Sequence, residues 1–495
     1  MTSLTVDRPT TFDVHSPATG TVVGTYPSHD ELAVEAAVDR AHGAATWWRT
    51  AGFAERARRL DRWRAEITRG RDELADLVHA EMGKPRSDAK LEIVMALEHL
   101  KWAARHAEKV LGPRSVTPSL LTLNHACRVE YRPFGVVGVI GPWNYPVFTP
   151  LSSISFALAA GNTVVFKPSE YSTGVGVWLA DAFARAVPEH PVLQVVTGGG
   201  DTGAALCRSR VGKIGFTGST ETGKRVLAAC AQRLTPVLME CGGKDALIVD
   251  ADADLRAAAD AALWGGMSNA GQTCLGVERV YVHTDVYDAF LTELLDQTRE
   301  LRAGSGDAKI GPITMPKQLE VIRRHIDDAI ARGGRALLGG LDAIEGQFVQ
   351  PTILVDVPED SAAVTEETFG PTLVVTRVAT MDEAVERVND SDYGLGATVF
   401  ARRHGQAIAD RIESGGTSIN AFVAHATIPT LPLGGVGASG FGRVHGPDGL
   451  REFTYAKATT RQRFPSPLAL TTFTRSAAID SAVDRLVSVL HGRIG

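Results

Sequence analysis

Four short runs decide the fold: GVVGVI at 135–140, NTVVFK at 162–167, VLQVV at 192–196 and KIGFTG at 213–218. Each is short and rich in β-branched residues, as a strand requires. Between them lie segments whose apolar residues recur at helical spacing, GVGVWLADAFARAV at 174–187 and TGKRVLAACAQRL at 222–234. Strands alternating with helices predict a parallel, doubly wound sheet and an α/β fold. A second alternation follows in ALIVD (246–250), ERVYVH (278–283), PTILVDV (351–357), TLVVTRV (372–378) and ATVFA (397–401), which reads as another α/β lobe. Upstream, roughly 30–110 carries apolar residues at helical spacing among Ala, Arg and Glu, so amphipathic helices are expected there.

A chain of 495 residues exceeds one ordinary core, so two or three lobes are expected. The sequence shows no repeat of 20 to 50 residues and no low-complexity linker, so the lobes should pack closely. Clefts between packed lobes are common ligand sites. An apolar share of 44% with 22% charged residues is that of a globular protein and argues against disorder. The 57 acidic and 51 basic residues are spread along the chain without a basic block, which excludes nucleic acid as an expected partner. The N-terminus lacks the pattern of a secretory signal, and no stretch is apolar enough for a membrane span. Cys127, Cys207, Cys230, Cys241 and Cys274 form no CxxC pair and no His/Cys metal spacing. No metal is expected, and a reducing cytoplasm is the expected location.

Two segments match the dinucleotide fingerprint GxGxxG: Gly198, Gly200 and Gly203 in GGGDTG, and Gly435, Gly437 and Gly440 in GVGASG. Both cannot be one phosphate loop, and the first lacks an acidic ribose anchor at the end of the next strand. Tight turns that need positive φ are the alternative. The segment KIGFTGSTETGKRV says more. A strand enters a Gly/Ser/Thr turn that opens a helix, either as a phosphate site or as a plain helix cap by Ser219 or Thr220.

Three residues suggest reactivity. Cys274, in SNAGQTCLGVERVYV, sits on a turn just before a β-rich run and reads either as a nucleophile or as a small buried hydrophobe. Glu240, in LMECGGKDALIVD, ends an apolar run, where desolvation would raise its pKa towards that of a general base; a salt-bridge role is the alternative. Asn144 lies between Pro142 and Pro146, which stiffen its turn, so its amide can face a developing oxyanion or serve the turn alone.

Taken in order, PWNYP, GNTVVFKPSE, FTGSTETG, ECGGK, NAGQTC, EETFGP and PLGGVGASGFGRVHG closely resemble the aldehyde dehydrogenase superfamily, over roughly residues 10 to 460. The resemblance implies an NAD(P)-dependent, hydrolytic enzyme that oxidises an aldehyde to a carboxylic acid. Cys274 would attack the carbonyl to give a thiohemiacetal, with its own backbone N–H and the Asn144 side chain holding the oxyanion. Glu240 would activate water to hydrolyse the thioester. Lys167 and Glu170 match positions that bind the adenosine ribose, Ser219 a pyrophosphate contact, and Trp143 a residue near the cofactor. Glu367 and Phe369 match positions at the nicotinamide ribose and ring. NAD is the expected cofactor, with NADP as a second that relatives with the same KPSE wording accept, and the GVGASG glycines become structural.

The family fold implies an NAD(P)-binding domain over 1–113 and 135–242, a catalytic domain over 243–445, and an oligomerisation element of 114–134 with 456–464. A C-terminal tail, 465–495, follows; a homodimer or homotetramer is expected. In the tail, Ile479, Ala482, Val483, Leu486, Val487 and Leu490 form one apolar stripe, expected to pack on a subunit or the core in preference to a membrane surface. Two departures stand out. Cys241 follows Glu240 where the family has Leu, and reads either as a buried Leu substitute or as a thiol able to pair with Cys274; Asp245 alters local packing.

A CoA-acylating semialdehyde dehydrogenase is the close rival, though such relatives generally lack the glutamate that Glu240 supplies. A non-catalytic binding or structural relative is the other. The substrate is open among aromatic, fatty and succinic semialdehyde types, with Phe148, Thr149, Ser152, Leu275 and Phe453 as candidate pocket residues.

Overall fold

The computed structural model describes residues 10–306, 308–466 and 471–492. The helical stretch folds as α1 to α4 (Glu31–Thr50, Gly52–Arg69, Arg71–Met82 and Arg86–Leu111). Asp30 caps α1 by accepting from the Ala33 N–H at 2.8 Å, and Gly83, at φ 71°, ends α3 in the left-handed conformation that glycine takes without strain. The four runs at 135–218 become β1 (Val136–Ile140), β2 (Thr163–Lys167), β3 (Leu193–Val195) and β4 (Lys213–Thr217), and β5 (Val237–Glu240) joins them. They interleave with α5 to α8 (Phe148–Ala160, Thr173–Ala186, Gly200–Arg208 and Thr220–Ala231).

In this sheet the order is β5-β4-β1-β2-β3, all parallel, with the short strand Gly440–Phe441 antiparallel outside β5. Every residue of β1 and β2 is buried, as expected for strands of a parallel sheet sandwiched by helices. The chain runs from β1 through β2 to β3 on one side, then returns to β4 and β5 on the other. The order therefore reverses between β1 and β4, and ligands of open α/β sheets bind at the carboxyl ends of the strands flanking such a reversal.

A second sheet holds β6 (Asp245–Val249), β7 (Val277–His283), β8 (Arg335–Leu338), β9 (Thr352–Val355), β10 (Thr372–Val378), β11 (Gly396–Phe400) and β12 (Gly416–Ile419). Its order is β8-β9-β10-β7-β6-β11-β12, parallel except for β8 at the edge. Only residues 241–244 separate β5 in one sheet from β6 in the other. That bridge is short because Glu240 ends one strand and Asp245 begins the next.

Residues Leu111–Arg132 and Ala456–Gly495 form a separate compact unit. It contains a three-stranded sheet of Arg114–Val116, Thr454–Gln462 and the intervening strand His125–Pro133, together with a helix at Ala477–His491. The apolar stripe of that helix is present, and none of its residues is buried within this single chain. Among the described residues no helix is long and apolar enough to cross a membrane.

Candidate active site

Cys274 sits between the turn Ser268–Gly271 and β7. Asn269, Ala270 and Gly271 take φ of 50°, 57° and 71°, a left-handed run that is costly at the first two positions. Hydrogen bonds hold it. The Asn269 side chain donates to the Asn144 carbonyl at 3.0 Å and the Gln272 carbonyl at 3.1 Å, while Gln272 Nε2 donates to the Asn269 carbonyl at 2.8 Å and the Thr314 N–H donates to Gln272 Oε1 at 2.8 Å. Gly271 is obligatory, since a Cβ there would stand 2.1 Å from the Gly370 carbonyl oxygen.

Asn144 follows β1 at the switch point. Its Nδ2 donates to the Gln272 carbonyl at 3.0 Å, which fixes the amide beside the cysteine turn and leaves its second N–H as a further donor. Its carbonyl accepts from Lys84 Nζ at 2.8 Å. Lys84 is buried, ion-paired with buried Glu92 and stacked 3.8 Å over the Tyr145 ring. Glu92 Oε1 in turn accepts from the N–H groups of Val147 (2.8 Å) and Phe148 (3.0 Å), capping α5 in place of a local cap residue.

Glu240 is buried at the end of β5, and its Oε1 makes no hydrogen bond. Burial pushes its pKa up to about 8; Arg443 partly offsets this and Glu452 adds to it. Burial likewise pushes the Cys274 thiol up to about 12, helped by the carboxyl groups of Glu240, Glu367 and Asp245. The Leu275 N–H opposes that shift.

The GVGASG segment backs this bridge. Gly440 pairs with Glu240, the Cys241 N–H donates to the Ser439 carbonyl at 3.0 Å, and Ser439 Oγ donates to the Gly242 carbonyl at 2.7 Å. A Cβ on Gly440 would lie 2.1 Å from the Met239 carbonyl oxygen, so its glycine serves close backbone approach. Gly200 and Gly203 of GGGDTG open and continue α7, and neither lines the cavities at Cys274.

Two cavities meet at Cys274. One, of ≈ 120 Å³, is lined by Trp143, Asn144, Ser219, Glu367 and Phe369 and lies where the loops after β1 and β4 face each other. The Trp143 and Phe369 rings meet edge to face at 5.5 Å, with Phe369 held at φ 51°. Buried Glu278 on β7 fixes that loop by accepting from the Thr368 N–H at 2.8 Å and the Phe369 N–H at 2.9 Å, while ion-paired with Lys244. Glu367 accepts from the Gly243 N–H at 3.1 Å, and burial raises its pKa to about 8. Ser219 caps α8 by accepting from the Thr222 N–H at 3.3 Å, so the cap reading is realised on a residue that also lines the cavity. Lys167, at the end of β2, is buried and 3.4 Å from Glu170, with burial lowering its pKa. Neither Lys167 nor Glu170 lines this cavity.

The other cavity, of ≈ 690 Å³, is lined by Glu240, Cys274, Tyr145 and Trp264 among others, and by four of the five candidate pocket residues, Phe148, Thr149, Ser152 and Leu275. Phe453 is corrected: it is fully buried, behind the pocket wall, with its carbonyl accepting from Asn162 Nδ2 at 2.9 Å. Cys241 is buried in the core of the first sheet with Val226 and Met239, and a Cβ on Gly223 would lie 3.0 Å from its sulfur. Cys241 also lines both cavities at Cys274, so that core does not enclose it on every side. Sequence reasoning missed Lys84, Glu92, Glu278 and Lys244, whose partners lie far along the chain or carry no motif of their own.

A strand-helix sheet with a ligand crevice at its switch point, joined to a second α/β lobe across a cysteine turn, defines an α/β enzyme that sets a thiol between two binding cavities. The chain belongs to the aldehyde dehydrogenase family, whose model matches residues 5–459. It is 37% identical over 465 residues to the 4,4'-diapolycopene aldehyde oxidase of a Methylomonas species, covering 92% of this chain and 87% of that one. It is 35% identical to the glutarate-semialdehyde dehydrogenase of Pseudomonas putida, covering 92% and 95%. An NAD-dependent aldehyde dehydrogenase from Sinorhizobium meliloti matches in structure with a TM-score of 0.89 at 33% identity, covering 94% of this chain and 93% of that one. The protein is thus an NAD(P)-dependent aldehyde dehydrogenase of mixed α/β fold.

Proposed function

We propose that this chain oxidises an aldehyde to a carboxylic acid with Cys274 as nucleophile, Glu240 as general base and Asn144 as oxyanion donor, water being the acyl acceptor. The observation that carries the reading is the position of Cys274: like Cys241 it lines both cavities, but it alone of the two thiols stands on the turn where Asn144 Nδ2 donates to the Gln272 carbonyl, and so can face an aldehyde on one side and a nicotinamide on the other beside an oxyanion donor. The thiol sulfur bonds to the aldehyde carbon while its proton passes to a base. The resulting oxyanion is held by Asn144 and the Cys274 backbone N–H. A bound nicotinamide supplies the hydride acceptor. Loss of hydride from the carbon leaves a thioester on Cys274. Glu240 then takes a proton from water, whose oxygen displaces the sulfur and frees the acid. The unpaired Oε1 of Glu240 and its raised pKa suit that task. Retention of this glutamate disfavours CoA as acceptor, and the intact set Cys274, Glu240 and Asn144 disfavours a purely structural role.

Trp143, Glu367 and Phe369 would hold the cofactor's nicotinamide end, and Ser219 on the N-terminus of the twelve-residue α8 would hold its pyrophosphate. Lys167 and Glu170 would hold its adenosine ribose, and NAD would be preferred over NADP because the Glu170 carboxylate would repel a 2′-phosphate. Residues 1–113 and 135–242 bind cofactor, 243–445 carry the thiol, and 114–134 with 456–464 assemble a homodimer or homotetramer in the cytoplasm. The test is substitution of each thiol in turn. Cys274→Ala should abolish NAD(P)H production from every aldehyde, whereas Cys241→Ala should retain most of it. Turnover by the Cys274 variant would reject the mechanism.

A further inference from the structure

Relatives of this chain bear names of quite different substrates, and the wall of the larger cavity distinguishes between them. Its charged lining side chains are Lys84, Asp88, Glu240 and Asp260. The single cation is already committed: Lys84 is buried, ion-paired with Glu92, and donates to the Asn144 carbonyl at 2.8 Å. No arginine and no histidine lines the cavity among the described residues. A substrate bearing a carboxylate would therefore enter a space holding three acidic side chains and no cation free to pair with it, which disfavours it on both desolvation and charge.

The rest of the wall combines uncharged hydroxyl and amide side chains, among them Thr149, Ser152 and Asn420, with a larger apolar surface. Leu91, Met95, Phe148, Trp264, Phe422 and Val423 surround the space. The apolar surface also continues outwards, because Leu91 and Trp264 are each 46% exposed, and Val94, one turn beyond Leu91 on α4, is 57% exposed. A cavity of ≈ 690 Å³ has room for on the order of twenty groups at about 30 Å³ each, the share of one water in the liquid. A four-carbon semialdehyde would fill a minor part of it.

We infer that the substrate of this enzyme is an uncharged aldehyde with an extended apolar body, a chain of about ten carbons or more or a body of similar length, and that dicarboxylic semialdehydes are poor substrates. The inference rests on reading Cys274 and its larger cavity as the aldehyde site. The aldehyde carbon lies at Cys274, the body runs along Phe148 and Phe422, and the far end reaches the exposed rim at Leu91 and Trp264.

The purified full-length enzyme would be assayed for NAD(P)H formation with butanal, hexanal, octanal and decanal, and with succinic semialdehyde and its neutral methyl ester. The expected kcat/KM rises along the alkanal series by about four-fold per methylene, as apolar burial predicts. Decanal should exceed succinic semialdehyde at least ten-fold, and the methyl ester should exceed the free acid, which separates charge from size. A semialdehyde within ten-fold of decanal, a flat alkanal series, or an ester no better than its acid would each overturn the inference. Met95→Arg, which places a cation on the wall, should raise the ratio of acid to ester; an unchanged ratio in the folded variant counts against the inference. Failure here is distinct from failure of the proposed chemistry: NAD(P)H formed from the acid and lost in Cys274→Ala would refute only the substrate class, while no Cys274-dependent NAD(P)H from any aldehyde would refute the underlying reading.

Discussion

Replacing Glu240 by Gln isolates the second half of the proposed reaction, because it keeps the shape of the side chain and removes the base. In the wild type a carboxyl with a pKa of about 8 is ~10% ionised at pH 7 and ~90% at pH 9. Where hydrolysis limits turnover, kcat should therefore climb about nine-fold across that interval and level off above it. In Glu240→Gln the climb should vanish, and steady turnover should fall by about 10²- to 10⁴-fold, the usual yield of a positioned base. Hydride transfer precedes that step, so mixing enzyme, aldehyde and cofactor should still give a burst of reduced cofactor of up to one equivalent per site, followed by a near-flat trace. Stopped-flow absorbance at several pH values reads both phases. Stability supplies an independent readout. Burial raises the folded pKa from the ordinary 4.5 to about 8, so the folded state binds the extra proton and the wild type loses stability as pH rises between those values. The loss is complete above about 8. Gln carries no such penalty, and the variant should gain stability of order 4 kcal/mol relative to wild type at pH 9 compared with pH 4. Steady turnover within three-fold of wild type would refute the assignment of Glu240.

The remaining predictions concern groups around that centre. Glu170→Gln should raise kcat/KM for NADP relative to NAD by removing a carboxylate 3.4 Å from Lys167; comparing both cofactors in both proteins checks this, and a wild type that strongly prefers NADP would contradict it. Glu92→Gln leaves buried Lys84 without its counter-ion, and the melting temperature should fall in keeping with a loss of about 3–5 kcal/mol. Gly242→Ala sets a Cβ 2.2 Å from Glu367 Oε1; since that carboxylate can swing away, the fold should survive while the KM for cofactor rises several-fold, measured by initial rates.

The sheet strands, their parallel order class and the reactive turn were readable because each is local. Five apolar residues such as VVGVI announce a strand wherever they occur, and NAGQTC carries its glycine and cysteine within six positions. β8, β12 and the hairpin of Thr11–His15 with Val22–Pro27 were not foreseen. β8 reads Arg-Ala-Leu-Leu with no β-branched residue and β12 reads Gly-Thr-Ser-Ile, so neither shows the β-branched apolar run that marked the central strands. The charges that brace the site were hidden for another reason. Glu92 reaches Val147 across 55 positions and Glu278 reaches Thr368 across 90, and no spacing in the sequence encodes such pairs. Phe453 misled because its neighbourhood in a motif placed it near the pocket, whereas packing drew it behind the wall.

Cys274 forms part of the wall of two cavities at once, and on the proposed mechanism they would serve as separate doors. An acyl group attached to sulfur would stay lodged on one side while spent nicotinamide departed by the other. Neither traveller would have to back past the other. Such a layout would permit the carrier to be exchanged while the acyl group still waited for water, and a compound wedged in the nicotinamide door would then trap a loaded enzyme without ever touching the aldehyde's own passage.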